Sequence, residues 1–178
     1  MPQSTSSTPR LRAHPLLPPF HVVLVEPEIP PNTGNVARLC AATSSPLHLV
    51  GHLGFRIDEH SVRRAGVDYW HLVDVRTHVD FDDFLRTFRV ESPEGGLHLF
   101  SASVAGNYID APLRAGDALV FGKESVGLSS ELLARFPDRV RTIPTIGAVR
   151  SLNLANAVGI VLFEGLRKVG SLDDTFVG

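Results

Sequence analysis

The chain predicts an α/β fold: a largely parallel sheet with helices on both faces. Three observations carry that expectation. From Phe20 onward, short apolar runs alternate with segments of helical periodicity. The runs are rich in valine and leucine, as strands buried on both faces are. Beside them stand three blocks that join glycines to uncharged polar residues: Glu26-Pro-Glu-Ile-Pro-Pro-Asn-Thr-Gly-Asn-Val-Ala-Arg38, Val120-Phe-Gly-Lys-Glu-Ser-Val-Gly-Leu128 and Ile143-Pro-Thr-Ile-Gly-Ala-Val-Arg-Ser-Leu-Asn-Leu-Ala-Asn156. Glycine lets a backbone approach a ligand closely or adopt positive φ, which a packed core does not need. Three such blocks at the ends of apolar runs point to loops gathered around one bound molecule at a sheet edge.

Each element follows from its local pattern. His21–Val25 reads as a buried strand, ended by Pro27, Pro30 and Pro31. Asn32 or Thr33 is placed to cap a helix running to about Ser44, with Val36, Leu39 and Cys40 on one face. Leu47–Val50 reads as a second strand, Asp58–Ala65 as helical and Tyr69–Val75 as strand-like. Phe81–Phe88 is a helix with Phe81, Phe84, Leu85 and Phe88 at core spacing. Leu97–Ala102 and Ala118–Phe121 are further strands, Ser129 caps a short helix ending near Phe136, and Arg139–Ile143 is another strand. The final helix spans roughly Leu152–Lys168. Leu152, Leu154, Ala155, Val158, Ile160, Val161, Leu162, Phe163 and Leu166 cover nearly its whole circumference. A surface helix keeps a polar face. This one is therefore expected to be covered on both sides, by a second copy in a homodimer or else within the monomer.

With 178 residues the chain suits one domain with its own core and is short for two. Residues 1–19 read as a disordered tail: Met1–Phe20 holds five prolines, several Ser and Thr, Arg10, Arg12 and no acid. That composition also resembles an organelle transit peptide, although the prolines oppose an amphipathic helix. Residues 20–170 form the folded domain and 171–178 a second tail. The single cysteine, Cys40, excludes an internal disulfide framework and suits a reducing compartment. The final apolar stretch is broken by Asn153 and Asn156 and falls short of the roughly 20 residues a membrane span needs. A cytoplasmic protein without membrane association is the expectation. The net charge of -2 gives no global attraction to nucleic acid, so any RNA contact must come from local arginines.

With Arg38-Leu-Cys-Ala41, Arg63-Arg-Ala-Gly-Val-Asp-Tyr69 and Arg150-Ser-Leu-Asn-Leu-Ala-Asn156 added to those blocks, the chain resembles the SPOUT superfamily of RNA methyltransferases. It is most similar to the small single-domain branch, the tRNA (cytidine/uridine) 2′-O-methyltransferases, which act on the wobble nucleotide of the anticodon loop. The likeness covers about Phe20–Gly170. It implies a deep C-terminal trefoil knot, which no periodicity would suggest. It also implies a homodimer, an anticodon stem-loop as partner and S-adenosylmethionine as methyl donor.

Carried over by position, the donor-binding residues are Ala102, Gly122, Ile143, Ser151 and Leu152. The catalytic group is Arg38, lent by the partner subunit, with Asn35 beside it one turn earlier and Glu124 lining the same site. Asn153, Arg63 and Arg64 are the implied substrate contacts, and Tyr69 and Trp70 could stack on bases. Arg76, Arg10 and Arg12 are further candidates for phosphate contact. Phe163 stands where close relatives tend to have tyrosine, and Ser101-Ala-Ser-Val-Ala105 replaces a threonine-containing stretch.

The implied reaction is displacement at a methyl carbon already activated by positive sulfur, so no metal is needed. A guanidinium is always charged and accepts no proton. Arg38 is therefore expected to bind a phosphate or polarise the 2′-hydroxyl, with RNA phosphate, Glu124 or water as base. Methylation at another tRNA position or in rRNA, or RNA binding without catalysis, are the competing readings.

Blander readings fit other residues. Gly122-Lys-Glu-Ser125 lacks the spacing and the Ser or Thr of a phosphate-binding loop. His48 and His52 have ligand-like spacing, but Gly51 breaks any helix that would present both, so they read as surface or loop histidines. Asn153 and Asn156 fit equally well as capping groups of a buried helix.

Overall fold

A computed structural model describes residues 9–55, 70–102 and 106–178. In chain order its elements are β1 (Leu11–Ala13), β2 (His21–Val25), α1 (Pro30–Thr43), β3 (Leu47–Val50), β4 (Val75–His78), α2 (Phe81–Glu91), β5 (Leu97–Phe100), β6 (Ala118–Phe121), α3 (Ser130–Arg135), β7 (Val140–Arg141), α4 (Leu154–Lys168) and β8 (Thr175–Val177). Six of the strands form one sheet in the order β4-β3-β2-β6-β5-β7, and every neighbouring pair is parallel. The chain leaves β2 in one direction toward β3 and β4, whereas β6 and β5 lie on its other side. The carboxyl ends of β2 and β6 therefore flank a topological switch point, the place where open α/β sheets bind ligands.

Strand alternation divides the core in two. Val22, Leu24, Leu47, Leu49, Leu119 and Phe121 face α1 and α4, packing on Val36, Ala37, Val158, Val161 and Leu162. Val23, Val50, Leu99 and Val120 face α2 and α3, packing on Phe84, Phe88 and Leu132. Helices thus cover both faces, as the apolar runs require. Asp80 accepts a hydrogen bond from the Asp83 backbone N–H at the start of α2, and Ser129 does the same for Leu132 at α3. Caps of this kind contribute about 1 kcal/mol each.

Several expectations change. The first helix begins at Pro30, with Ile29 as its N-cap, so Asn32 and Thr33 lie inside its first turn instead of capping it. Two prolines start it because a first-turn residue has no intrahelical use for its N–H. The stretch expected as a strand over Tyr69–Val75 is a 3-10 turn at Trp70–Leu72 followed by β4. The strands expected at Leu97–Ala102 and Arg139–Ile143 are shorter, ending at Phe100 and Arg141. Residues 11–13 are not a loose tail. They pair antiparallel with β8, so the two expected tails hold each other: Leu11 faces Val177 and Ala13 faces Thr175. His48 is buried in the core, not at the surface or in a loop. The helix expected over Asp58–Ala65, with Arg63, Arg64 and Tyr69, lies outside the described residues.

Most of α4 is covered by the monomer itself, through Leu154, Ala155, Val158, Val161, Leu162, Gly165 and Leu166. What remains uncovered is a narrow stripe with Asn156, Ile160 at 38% exposure and Phe163 at 44%.

Candidate active site

The first two glycine blocks leave adjacent strands, β2 and β6, whose residues Leu24 and Phe121 are paired in register. The second block closes tightly on itself. A Cβ added to Gly122 would lie 2.1 Å from the Gly127 carbonyl carbon and 2.2 Å from the Leu128 nitrogen. Gly127 donates to the Lys123 carbonyl at 2.8 Å and has φ of 75°. Only glycine suits either position.

That closed loop presents Glu124 to the start of α1. Its Oε2 accepts from the Glu28 N–H at 2.8 Å. Its Oε1 accepts from the Ile29 N–H at 3.2 Å and from Asn32 Nδ2 at 3.0 Å. Asn32 Oδ1 in turn accepts from Asn153 Nδ2 at 2.9 Å. Asn153 Oδ1 caps α4 by accepting from the Ala155 and Asn156 N–H groups. One line of side chains, Glu124–Asn32–Asn153, therefore joins all three blocks. Outer clamps reinforce it: Lys123 Nζ donates to Glu26 Oε2 at 2.9 Å, and the Ser125 N–H donates to Glu28 Oε2 at 3.1 Å. The Glu26 contact holds the Lys123 ammonium above its ordinary range, while hydrogen bonds from Ser125 hold the Glu28 carboxyl below its own.

These contacts change the reading of three residues. Glu124, expected among the catalytic groups, has three donors on its carboxylate, all from the start of α1. Asn153, expected to touch substrate, has its amide engaged on both sides by Asn32 and α4. Asn32, read as a helix cap, is the central link. A signal was present: Asn32 and Thr33 precede Val36 and Ala37 by one turn on the buried face of α1, where an amide needs partners. Among the described residues, Thr33 Oγ1 is the buried side-chain polar atom without one.

The remaining expected residues fall in two groups. Asn35 and Arg38 are both exposed on α1, opposite its buried Val36, Ala37 and Cys40. Ala102, Gly122 and Ile143 follow the ends of β5, β6 and β7, three adjacent strands in which Phe100 pairs with both Phe121 and Arg141. The Ser101 N–H donates to the Arg141 carbonyl at 2.9 Å, which keeps those ends level. Ser151 and Leu152 come directly before the Asn153 link. Arg76 is not at this edge: it pairs with Asp74 and Glu91 around a cavity of about 640 Å³ that also takes in Pro46 and Ser92 near the amino ends of the strands. Arg12 lies on the ribbon formed by β1 and β8, with Arg10 beside it.

Residues 19–163 match the SpoU rRNA Methylase family. The chain belongs to that family. This SpoU-family chain is 46% identical over 153 residues to the tRNA (cytidine(34)-2'-O)-methyltransferase of Burkholderia cenocepacia (strain HI2424), covering 85% of its own length and 96% of that relative. It is 42% identical over 154 residues to the enzyme of the same name from Photorhabdus asymbiotica, covering 85% and 94%. A solved structure described as giving insight into the 2-OH methylation of C/U34 on tRNA superposes with a TM-score of 0.77 at 46% identity, over 84% of this chain and 95% of that one. An AdoMet-bound rRNA methyltransferase from Sinorhizobium meliloti superposes with a TM-score of 0.71 at 26% identity, over 88% and 61%. Among the described residues no helix is long and apolar enough to cross a membrane, and no three His, Cys, Asp or Glu side chains gather to hold a metal ion.

Proposed function

We propose that this SpoU-family chain transfers a methyl group from S-adenosylmethionine to the ribose 2′-hydroxyl of the wobble nucleotide, cytidine or uridine, in the tRNA anticodon loop. The observation that carries the reading is the Glu124–Asn32–Asn153 link, which draws three separate motif blocks to one switch point. The named relatives, matched over nearly their whole length, support the choice of substrate.

The residues at that edge fit the donor. Backbone groups after β5, β6 and β7 can hydrogen-bond an adenine edge, Ala102, Gly122 and Ser151 leave it room, and half-buried Ile143 and Leu152 offer apolar walls. When bound, the donor supplies a methyl carbon activated by positive sulfur, which the 2′-oxygen displaces. The protein's task is alignment. Arg38 binds the neighbouring phosphate or polarises the hydroxyl, with Asn35 beside it, and the proton leaves to RNA phosphate or water. Glu124, Asn32 and Asn153 act through position: they set where α1, and so Arg38, stands.

The exposed stripe of α4 bearing Ile160 and Phe163 is the face a second copy covers. In that homodimer each chain lends Arg38 to the other's pocket. Arg63 and Arg64 hold the anticodon stem-loop, residues 20–170 are the methyltransferase domain with a C-terminal trefoil knot, and the protein works in the cytoplasm.

The test is incubation with labelled donor and total tRNA, followed by mapping of the methylated nucleotide by mass spectrometry. Methylation at the wobble ribose is expected. Modification elsewhere selects another RNA target, and donor binding without transfer selects a binding protein. The Arg38→Ala chain should keep donor binding and lose transfer, at least 100-fold by analogy with other transition-state contacts of about 3 kcal/mol; full activity removes Arg38 from the mechanism.

A further inference from the structure

Three imidazoles run in a line through the half of the sheet away from the donor edge. His21, His48 and His78 stand on the adjacent strands β2, β3 and β4, and all three are buried. His21 Nδ1 lies 2.9 Å from His48 Nε2, and His48 Nδ1 lies 2.9 Å from His78 Nε2. At one end Ser92 Oγ is 3.1 Å from His21 Nε2. At the other, Asp83 Oδ2 is 3.8 Å from His78 Nδ1. Phe88 packs edge-on against His21, and Phe84 against His48 and His78.

Counting donors leaves two directions for the line, and the charge of Asp83 selects one. A neutral imidazole has one N–H and one acceptor nitrogen, and an ionised carboxylate only accepts. At 3.8 Å the Asp83 carboxylate is beyond hydrogen-bond reach of His78 Nδ1, but its negative charge favours an N–H over a lone pair on that side, leaving Nε2 to accept from His48 Nδ1–H. The same logic makes His21 Nδ1–H donate to His48 Nε2, and the Ser92 hydroxyl donate to His21 Nε2. All three rings carry their proton on Nδ1, the opposite of what an isolated side chain prefers.

We infer that Ser92–His21–His48–His78–Asp83 is a proton-storing wire of set polarity that holds one extra proton, shared among three rings, and no more. A proton from solvent placed on His21 requires only that the Ser92 hydroxyl turn and accept. Placed on His48 or His78, it reverses the bonds between that ring and Ser92, and every nitrogen keeps a partner. A second proton would set two N–H groups against each other across a 2.9 Å gap. Loading breaks an O–H bond of hydronium and forms one N–H, and each shift along the line then breaks one N–H for each that forms.

The charged groups around the wire are few. Arg76 opposes loading, Asp74 and Glu91 favour it near His21, and Asp83 favours it at His78. The Cys40 thiol of α1, on the cavity beside His21, is pushed up by burial and stays neutral. The wire is thus empty near neutrality and loads in acid. It lies on the face of the sheet that α2 covers, opposite α1 and its Arg38.

Nitrogen NMR of the full chain labelled at histidine tests this. Expected near neutrality are three Nδ1–H tautomers, and on acidification one titration common to all three rings, worth one proton. In Asp83→Asn the shared titration should move down by about one pH unit, since an opposite charge at such range shifts a group by that much or more. An Nε2–H tautomer on His48 or His78, three separate titrations, or an Asp83→Asn chain with unchanged tautomers and titration overturns the wire. Should the chain unfold before loading, the tautomers near neutrality still decide.

Discussion

Glu124 fastens one glycine block to the helix that begins within another. Its two oxygens take three N–H groups from the start of α1, a helix whose leading prolines supply no donors of their own. In Glu124→Gln the amide nitrogen would face an N–H, so stability should fall by about 2 kcal/mol, the range for hydrogen bonds to a charged group. Urea unfolding measures that loss, and methyl transfer should fall with it. Asn32→Ala strips Asn153 Nδ2 of its acceptor, so transfer should drop while the overall fold survives in circular dichroism. Gly122→Ala is harsher, because the new methyl would sit 2.1 Å from backbone. The loop must open, and calorimetry with S-adenosylmethionine should show no binding heat.

Elements differ in how much of their support is local. Helix α2 carries its own: Asp80 caps it, acidic residues fill its first turn and Arg89 its last. Asp80→Ala should cost about 1 kcal/mol in thermal unfolding and leave methylation untouched. Helix α1 takes its N-terminal support from Glu124, 92 residues beyond Asn32 in the chain. Helix α4 is held by Asn153 at its start and by the monomer's core along most of its length. Its exposed stripe is what the proposed dimer needs. Phe163→Glu should convert a dimer to monomers in size-exclusion chromatography with light scattering and abolish transfer, because Arg38 would no longer reach a neighbouring pocket.

At the scale of the whole molecule, stability should depend on acid through the buried histidines. Burial, the leading cause for each, lowers His21 from 6.5 to about 4 and His48 to about 2, and lowers His78 as well. The folded chain therefore binds fewer protons than the unfolded one below the unfolded value. Stability is complete above 6.5 and is lost as pH falls from there toward 4 and beyond. The slope is about 1.4 kcal/mol per pH unit for each proton of difference. Urea midpoints measured across that window should fall steeply, and a flat profile would refute neutral, buried histidines. The buried Asp117 acts in the same sense but at lower pH. Burial alone would raise Asp117, but hydrogen bonds from His98 and from the Gly96 and Arg114 N–H groups outweigh it and hold its carboxyl low. Asp117 keeps its charge at neutral pH and adds to the loss only in stronger acid.

Much of this was legible in the amino-acid order. The positions of β2, β3, α2, β6, α3 and α4 followed from periodicity and caps, since both are set by neighbours a few residues away, whereas β4 was misplaced. The glycine blocks, the two faces of the sheet and the exposed Asn35–Arg38 pair followed likewise. Strand alternation even places His21, His48 and His78 on one face, once their strands are known to be adjacent. That last condition is what only the tertiary structure could supply. Glu124 meets Asn32 across 92 residues, Asn32 meets Asn153 across 121, and β1 meets β8 at opposite ends of the chain. A local pattern tells which side of an element a residue occupies, but the hydrogen-bond partner waiting there depends on how distant segments pack. For that reason the sequence identified the site's blocks, while folding decided which of its polar groups meet.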